Sequence, residues 1–358
     1  MSVTRSEAPP VTAPRGTFKD RVLHKGQSDA GGPPPPSGPE RGRATGRDLG
    51  QRFAVIGVWI LMAALFAVIE PSSFLHWTTL QAIFNSQTYL VFLALSLLCT
   101  LAVSEFVDLS FASVFGLSAT IVPVLVVNHG WNFWLAALVG LLAGAAAGVI
   151  NGVLVVTYRV STIVVTLGMS ITLLGIALWM SNLSEVTGIS VSDQSWVNHN
   201  LLGLPLEFYY GLIATLIFAY VLAVTPLGRH IRAVGSNHEV SRLAGVPVNR
   251  LRFGAFVMAG LLAGFGGILA VTQVGGFDPN STQGYLSPAF AAVFLGTAIL
   301  QPGRFNPLGT FLAIFFLETG ILGLQLLGTA GWVSDVFYGG VLIIAVFITT
   351  LIRRRRGR

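Results

Sequence analysis

From residue 53 onward the chain is a succession of long apolar runs separated by short polar breaks. Ten can be counted, at roughly 53–70, 82–103, 109–128, 133–157, 161–182, 208–225, 251–274, 286–301, 306–327 and 332–352. Runs of about 17–25 residues match the ~30 Å hydrocarbon core of a bilayer when helical. Barrel strands would instead be ~10-residue alternating segments, and only helices and closed barrels satisfy their backbone inside lipid. Charged residues make up 10% of the chain, against about 25% in soluble domains. The sequence therefore predicts an all-α polytopic membrane protein with about ten transmembrane helices.

Residues 1–50 differ. They are polar, rich in Pro, Gly and Arg, and include Pro33 to Pro36 in one run. Such a segment buries too little apolar surface to fold, so a disordered tail is expected there and the membrane domain at 51–358. It contains no apolar stretch able to serve as a signal-peptide core. The net charge of +6 is spread over tail and loops and does not indicate nucleic-acid binding. Cys99 is the only cysteine, which excludes an internal disulfide and a thiolate metal centre. No metal site and no cofactor are expected.

Cytoplasmic loops concentrate Lys and Arg. With ten crossings and a cytoplasmic N-terminus, all 21 basic residues fall on one side. Lys19 and Lys25 lie in the tail. Arg159, Arg229, Arg232, Arg242, Arg250, Arg304 and Arg353 to Arg356 share that side, with Arg52 and Arg252 at its edge. The opposite loops hold Glu70, Asp193, Glu207 and Asp278. Both termini are thus expected in the cytoplasm.

On the same side lies Ser236-Asn237-His238-Glu239-Val240-Ser241-Arg242-Leu243-Ala244-Gly245-Val246-Pro247. Ser236 with Glu239 reads as a capping box. Gly245 and Pro247 are stop signals. They predict a short polar helix over about 236–245, either an interfacial loop helix or a plug for a socket on another protein. Gly140, Gly144, Gly148 and Gly152 recur every fourth position and predict a helix face that a neighbouring backbone can approach closely. Two inverted halves are geometrically allowed.

No phosphate loop of the form Gly-x-x-x-x-Gly-Lys-Ser/Thr is present, so any ATP would be hydrolysed by another subunit. The polar groups at membrane depth are few: Glu105 and Asp108 at the break between the second and third runs, Asn151 in the glycine strip, and Thr166, Glu318 and Gln325 in later runs. Ionisable groups at membrane depth suggest function. Their bland alternatives are capping, for Asp108 and Ser110, and packing, for Glu318.

Four stretches together resemble the permease subunits of bacterial ABC importers for monosaccharides, the ribose-type group related to branched-chain amino acid permeases. They are Val107-Asp108-Leu109-Ser110; Val149-Ile150-Asn151-Gly152 with Ile163 to Gly168; Thr225-Pro226-Leu227-Gly228-Arg229 through Gly245; and Gln283-Gly284-Tyr285 with Gly296-Thr297 and Leu308-Gly309-Thr310. They occur in the family's order over about 53–350. The resemblance implies an inner-membrane permease that pairs with a second permease subunit, as a homodimer. It implies an ATP-binding cassette subunit that receives the coupling helix, here Ser236, Asn237, His238, Glu239, Arg242, Leu243, Ala244 and Gly245. A periplasmic solute-binding protein would deliver the solute, and membrane lipid would surround the bundle. Asp108, Asn151, Thr166, Gln283 and Glu318 are the candidate pathway residues. The chain departs from the family pattern at Glu105-Phe106, at Gln301 to Asn306, at Glu318 and at Ile321-Leu322. Those positions bear on the solute more than on the fold. Two other readings stand beside it. One is a permease of the same architecture for an amino acid or polyol. The other is an ion-coupled secondary transporter using Glu105, Asp108 or Glu318. A membrane enzyme lacks a clustered acid–base or metal constellation.

Overall fold

The computed structural model describes residues 46–85, 87–103 and 107–356. The expected tail lies outside these residues up to position 45, as does Glu105. Residues 46–50, assigned above to the tail, open the first helix instead.

Helix forms along every apolar run. α1 (Gly46–Ile69) leads through the one-turn α2 (Pro71–Phe74) to α3 (Trp77–Asn85) and α4 (Thr88–Val103). The run at 82–103 is therefore two helical pieces. α5 (Phe111–Pro123) and α6 (Phe133–Gly152) each end in a five-residue π turn, Val124–Asn128 and Val153–Thr157. At α5 the change comes where Pro123 removes an amide from the ladder. α7 (Thr162–Met180) is followed by α8 (Val191–Asn198) and α9 (Leu206–Val224). Next come α10 (Pro226–Ser236), α11 (His238–Leu243) and the long α12 (Val248–Val274), then α13 (Leu286–Gly296), α14 (Pro307–Leu326) and α15 (Trp332–Arg356).

Sheet is confined to two antiparallel pairs. β1 (Val186–Thr187) joins β4 (Gly276–Phe277), with Val186 opposite Phe277. β2 (Asn200–Leu201) joins β3 (Leu204–Pro205). Gly275 makes the β1–β4 corner, closing α12 with φ at 82° in the left-handed region that glycine enters freely. Its carbonyl accepts from the amides of Gly188 and Ile189, at 3.0 and 3.1 Å.

Among the described residues seven helical segments are long and apolar enough to cross a membrane: 77–103, 111–128, 133–157, 162–180, 206–224, 248–274 and 307–326. α1 and α15 contain shorter apolar stretches, Phe53–Ile69 and Trp332–Ile348. α13 is shorter than its run at 286–301 suggests. It has 11 residues, about 16 Å at the usual rise. A 3-10 turn, Pro279–Tyr285, leads straight into it, and end to end the two span about 30 Å.

α4 and α5 form the centre, and nearly every side chain on them is buried. α12 packs against α4, α5 and α6, and α13 against α14 and α15. α6, α7 and α9 turn apolar faces outward, with Leu142, Ile171, Trp179, Ile217 and Tyr220 exposed. In a membrane chain such faces meet lipid.

Candidate functional site

Two features combine polar chemistry with a defined position in the bundle. The first is the helical hairpin between α9 and α12. The sequence reads 226–235 as loop, but it is helical. Thr225 accepts from the amide of Gly228 at 3.2 Å and Pro226 occupies the first position, an arrangement that suits a helix start. The capping box at Ser236 does not form. Ser236 ends α10 and its hydroxyl donates to the carbonyl of Ala233 at 2.7 Å. Asn237 is the cap, its Oδ1 accepting from Glu239 and Val240 amides at 2.9 and 3.1 Å. The amide carbonyl reaches the free first-turn N–H groups that the shorter serine side chain leaves to it. α11 is thus six residues, 238–243, inside the expected 236–245. It ends at Ala244, with Gly245 left-handed at φ 78°.

α11 shows an apolar face to its surroundings. Leu243 is 85% exposed and Val240 61%, three residues apart and so on one side of the helix. Arg242 and Glu239 are exposed beside them, while Ser241 is buried. The opposite side of the hairpin grips the end of α4. Val234 packs with Val103 and with Val248 of α12. Gly235 lies against the carbonyl of Ala102, where a Cβ would collide. His238 Nε2 donates to the carbonyl of Val103 at 2.9 Å. A displacement of α11 is therefore a displacement of the last turn of α4.

The second feature begins a few residues further on. Asp108 Oδ1 accepts from both the amide and the hydroxyl of Ser110, each at 2.8 Å. Asn151 Nδ2 of α6 donates to the same hydroxyl at 2.8 Å. The amide of Leu109 donates to Thr166 Oγ1 of α7 at 3.1 Å. One turn along, Ser113 of α5 shares a 2.8 Å bond with Ser170 of α7, and Gln283 Nε2 reaches Ser113 at 3.4 Å. Asp108, Ser110, Ser113, Asn151, Thr166 and Ser170 are all buried, and Gln283 is exposed. Ser110 occupies the position before α5 without capping it; its hydroxyl is spent on Asp108. Burial pushes the Asp108 carboxyl above its ordinary range, and the two bonds from Ser110 oppose that shift.

Four of the five candidate pathway residues, Asp108, Asn151, Thr166 and Gln283, thus belong to one polar seam joining α5, α6, α7 and the 3-10 turn. Glu318 does not join it. It is buried on α14 within electrostatic reach of Tyr89 and Tyr338, and its neighbour Thr319 accepts from Trp59 Nε1 at 2.9 Å. The four strip glycines face other elements. Gly144 meets Gly260 and Gly264, Gly148 the carbonyl of Phe256, Gly152 the ring of Phe253 and Gly140 the hydroxyl of Ser118. Sequence reasoning missed Ser113 and Ser170, lone hydroxyls in apolar helices. It also placed Glu207 in a loop. Glu207 lies in the first turn of α9, fully buried, and among the described residues neither carboxylate oxygen has a hydrogen-bond partner. No group of three or more His, Cys, Asp or Glu among the described residues could hold a metal.

Membrane-length helices, an internal polar seam and a helical hairpin tied to the core define a multi-pass membrane protein of the transport class. The chain belongs to the family described as branched-chain amino acid transport system, permease component, whose model matches residues 79–346. It is 28% identical over 322 residues to the L-arabinose ABC transporter permease protein AraH of Azospirillum brasilense, covering 89% of this chain and 93% of that one. It is 34% identical over 296 residues to the autoinducer 2 import system permease protein LsrC of Enterobacter sp. strain 638, covering 82% and 85%. With LsrD of Escherichia coli K12 it shares 30% over 304 residues, covering 83% and 91%. No solved structure matches the chain.

Proposed function

We propose that the chain is the permease subunit of an ATP-driven importer for a monosaccharide or similar small polar solute. The relatives named for arabinose and autoinducer 2 support the solute class. The observation that carries the mechanism is the apolar face of α11 exposed on a hairpin that grips α4 and α12. Leu243 and Val240 enter a groove of an ATP-binding subunit, with Arg242 and Glu239 at the rim. Closure of the ATP-binding pair pushes α11, and the contacts at Ala102 and Val103 carry the push into α4. The polar seam at Asp108, Ser110, Asn151 and Thr166 lies beyond, and its exchangeable hydroxyl bonds allow two arrangements. Gln283, exposed at the edge of that seam, meets the solute. Glu318 lines the pathway from the α14 side.

The hairpin end is cytoplasmic in this reading, with both termini, because the basic residues gather there and because the 3-10 turn with α13 is long enough for a tenth crossing. The membrane is the inner membrane of a bacterium. A second copy of the chain completes the pathway, and a periplasmic solute-binding protein docks at the end carrying α8. A permease for an amino acid is the second reading, favoured by the family's description.

Co-purification tests the core of the proposal. The tagged chain, expressed with its ATP-binding subunit and extracted in mild detergent, is expected to retain that subunit. Leu243→Glu is expected to lose it. A chain that runs alone under conditions preserving its fold would overturn the ATP-driven reading. Uptake of labelled pentose against labelled leucine by the reconstituted complex then decides the solute class.

A further inference from the structure

Where α6 gives way to α7 and α12 begins, two adjoining grooves open on the hairpin end of the bundle. One, of ≈ 380 Å³, is lined by Val156, Thr157, Arg159, Asn249, Arg250 and Phe253. The other, of ≈ 480 Å³, shares Asn249 and Arg250 and extends to Arg242. Arg252 lies close by, within electrostatic reach of Arg242, and its Nε is buried without a hydrogen-bond partner. Among the described residues none of these four arginines forms an ion pair. The first turn of α12 adds the partial positive charge of a helix N-terminus at the same place.

Uncompensated positive charge in a concave, partly apolar setting suits an anion. The walls narrow the choice. Val156 and Phe253 line the first groove, and the neighbouring faces of α6 and α7 expose Val149, Ile150, Ile163 and Val164. A free phosphate has no use for apolar walls. A phospholipid places its phosphate against the guanidinium groups, which match it in geometry and charge, and lays its acyl chain along the apolar helices. Basic pockets at helix ends bind anionic headgroups in this way.

We propose that this groove is a binding site for the headgroup of an anionic phospholipid, with Arg159 and Arg250 on the phosphate and Thr157 and Asn249 as hydrogen-bond partners. The site joins the ends of α6 and α12 beside α11, so a bound lipid braces the junction at which the hairpin meets the core. The proposal needs only a membrane-spanning chain with this basic end, and it stands or falls separately from the solute.

The test uses the full-length chain in neutral detergent, titrated with phosphatidylglycerol, with phosphatidylcholine or with inorganic phosphate. Its unfolding midpoint is tracked. Phosphatidylglycerol is expected to raise the midpoint, and the other two are not. In Arg159→Gln/Arg250→Gln the affinity for phosphatidylglycerol is expected to fall about 30-fold, at about 1 kcal/mol per basic residue. Arg229→Gln/Arg232→Gln, on α10 and outside the grooves, is the control and keeps the wild-type response. An unchanged lipid-free midpoint in the double variant shows that it folds. Equal stabilisation by inorganic phosphate would make this a free-anion site and overturn the lipid assignment. So would a double variant that answers phosphatidylglycerol as the wild type does. Loss of the ATP-binding subunit, with lipid response intact, would assign the groove to a protein interface instead.

Discussion

Where α6 crosses α12 the two backbones touch; where α9 meets α14 they are held apart by rings. At the first contact Gly144 faces Gly260, and Gly148 faces the carbonyl of Phe256. Ser118 of α5 and Ser96 of α4 add bonds to the carbonyls of Gly264 and Ala259 on α12, both at 2.8 Å. At the second, Phe208 of α9 packs on the Phe311–Phe315 pair of α14, at centroid distances of 6.1 and 5.9 Å, with Phe84 of α3 closing the group. A backbone seam fits in one register only, because any slide drives a carbonyl into a Cα. Ring pairs accept both edge and tilted geometries, each worth about 0.5–1.5 kcal/mol. The α6–α12 crossing is thus the more exacting of the two contacts and the α9–α14 contact the more tolerant.

The largest effect expected from that contrast is at the backbone seam. Gly260→Leu forces a side chain into the backbone of Gly144 and is expected to cost about 3 kcal/mol or to prevent assembly. Phe315→Leu at the ring contact should cost only about 1 kcal/mol. Unfolding midpoints of the two variants in detergent make the comparison, and equal losses would break it. Leu243→Glu removes nothing from the core, since the residue is exposed. Its stability should match wild type, while binding of the ATP-binding subunit falls by about 2–3 kcal/mol, the worth of a central interface anchor. Ser110→Ala takes the shared hydroxyl from Asp108 and Asn151. Leaving buried partners unmet is expected to cost about 1–2 kcal/mol, read as a lowered midpoint. His238→Ala is the smallest change. It deletes one bond to the end of α4, about 1 kcal/mol, so the partner subunit should stay bound while the solute moved per ATP drops about five-fold. Partner loss in this variant would place His238 in the interface rather than in the linkage.

Much of this architecture can be read from the residues. The apolar runs give the helices because lipid leaves the backbone no other partner. The stop at Gly245 is legible because a left-handed residue is needed there. The shift of the cap by one residue is not, because Ser236 and Asn237 are both good caps and only the path of α10 decides between them. α10 itself has a signal, Thr225 with Pro226 next to it, that its polar composition obscures. The seam could be named in part, since Asp108, Asn151 and Thr166 stand out against apolar neighbours. That they meet, and that Ser113 and Ser170 join them, depends on α5, α6 and α7 lying side by side, which no local pattern encodes. Glu207 reads as a loop acid because Gly203 and Pro205 stand just before it and the continuous apolar run begins only after it.

The π turns at the ends of α5 and α6 hold one residue more than the α turns they replace. That residue is slack wound into the helix. Released, it would lengthen the α5 or α6 coil by one position and swing the adjoining segment through about 100°. Beyond α6 that segment is Arg159 and the start of α7, including Thr166; beyond α5 it is the corner at Trp131. Two helices that meet the polar seam thus each carry a spare link, α6 directly beside its seam residue Asn151 and α5 at the end away from Ser110 and Ser113.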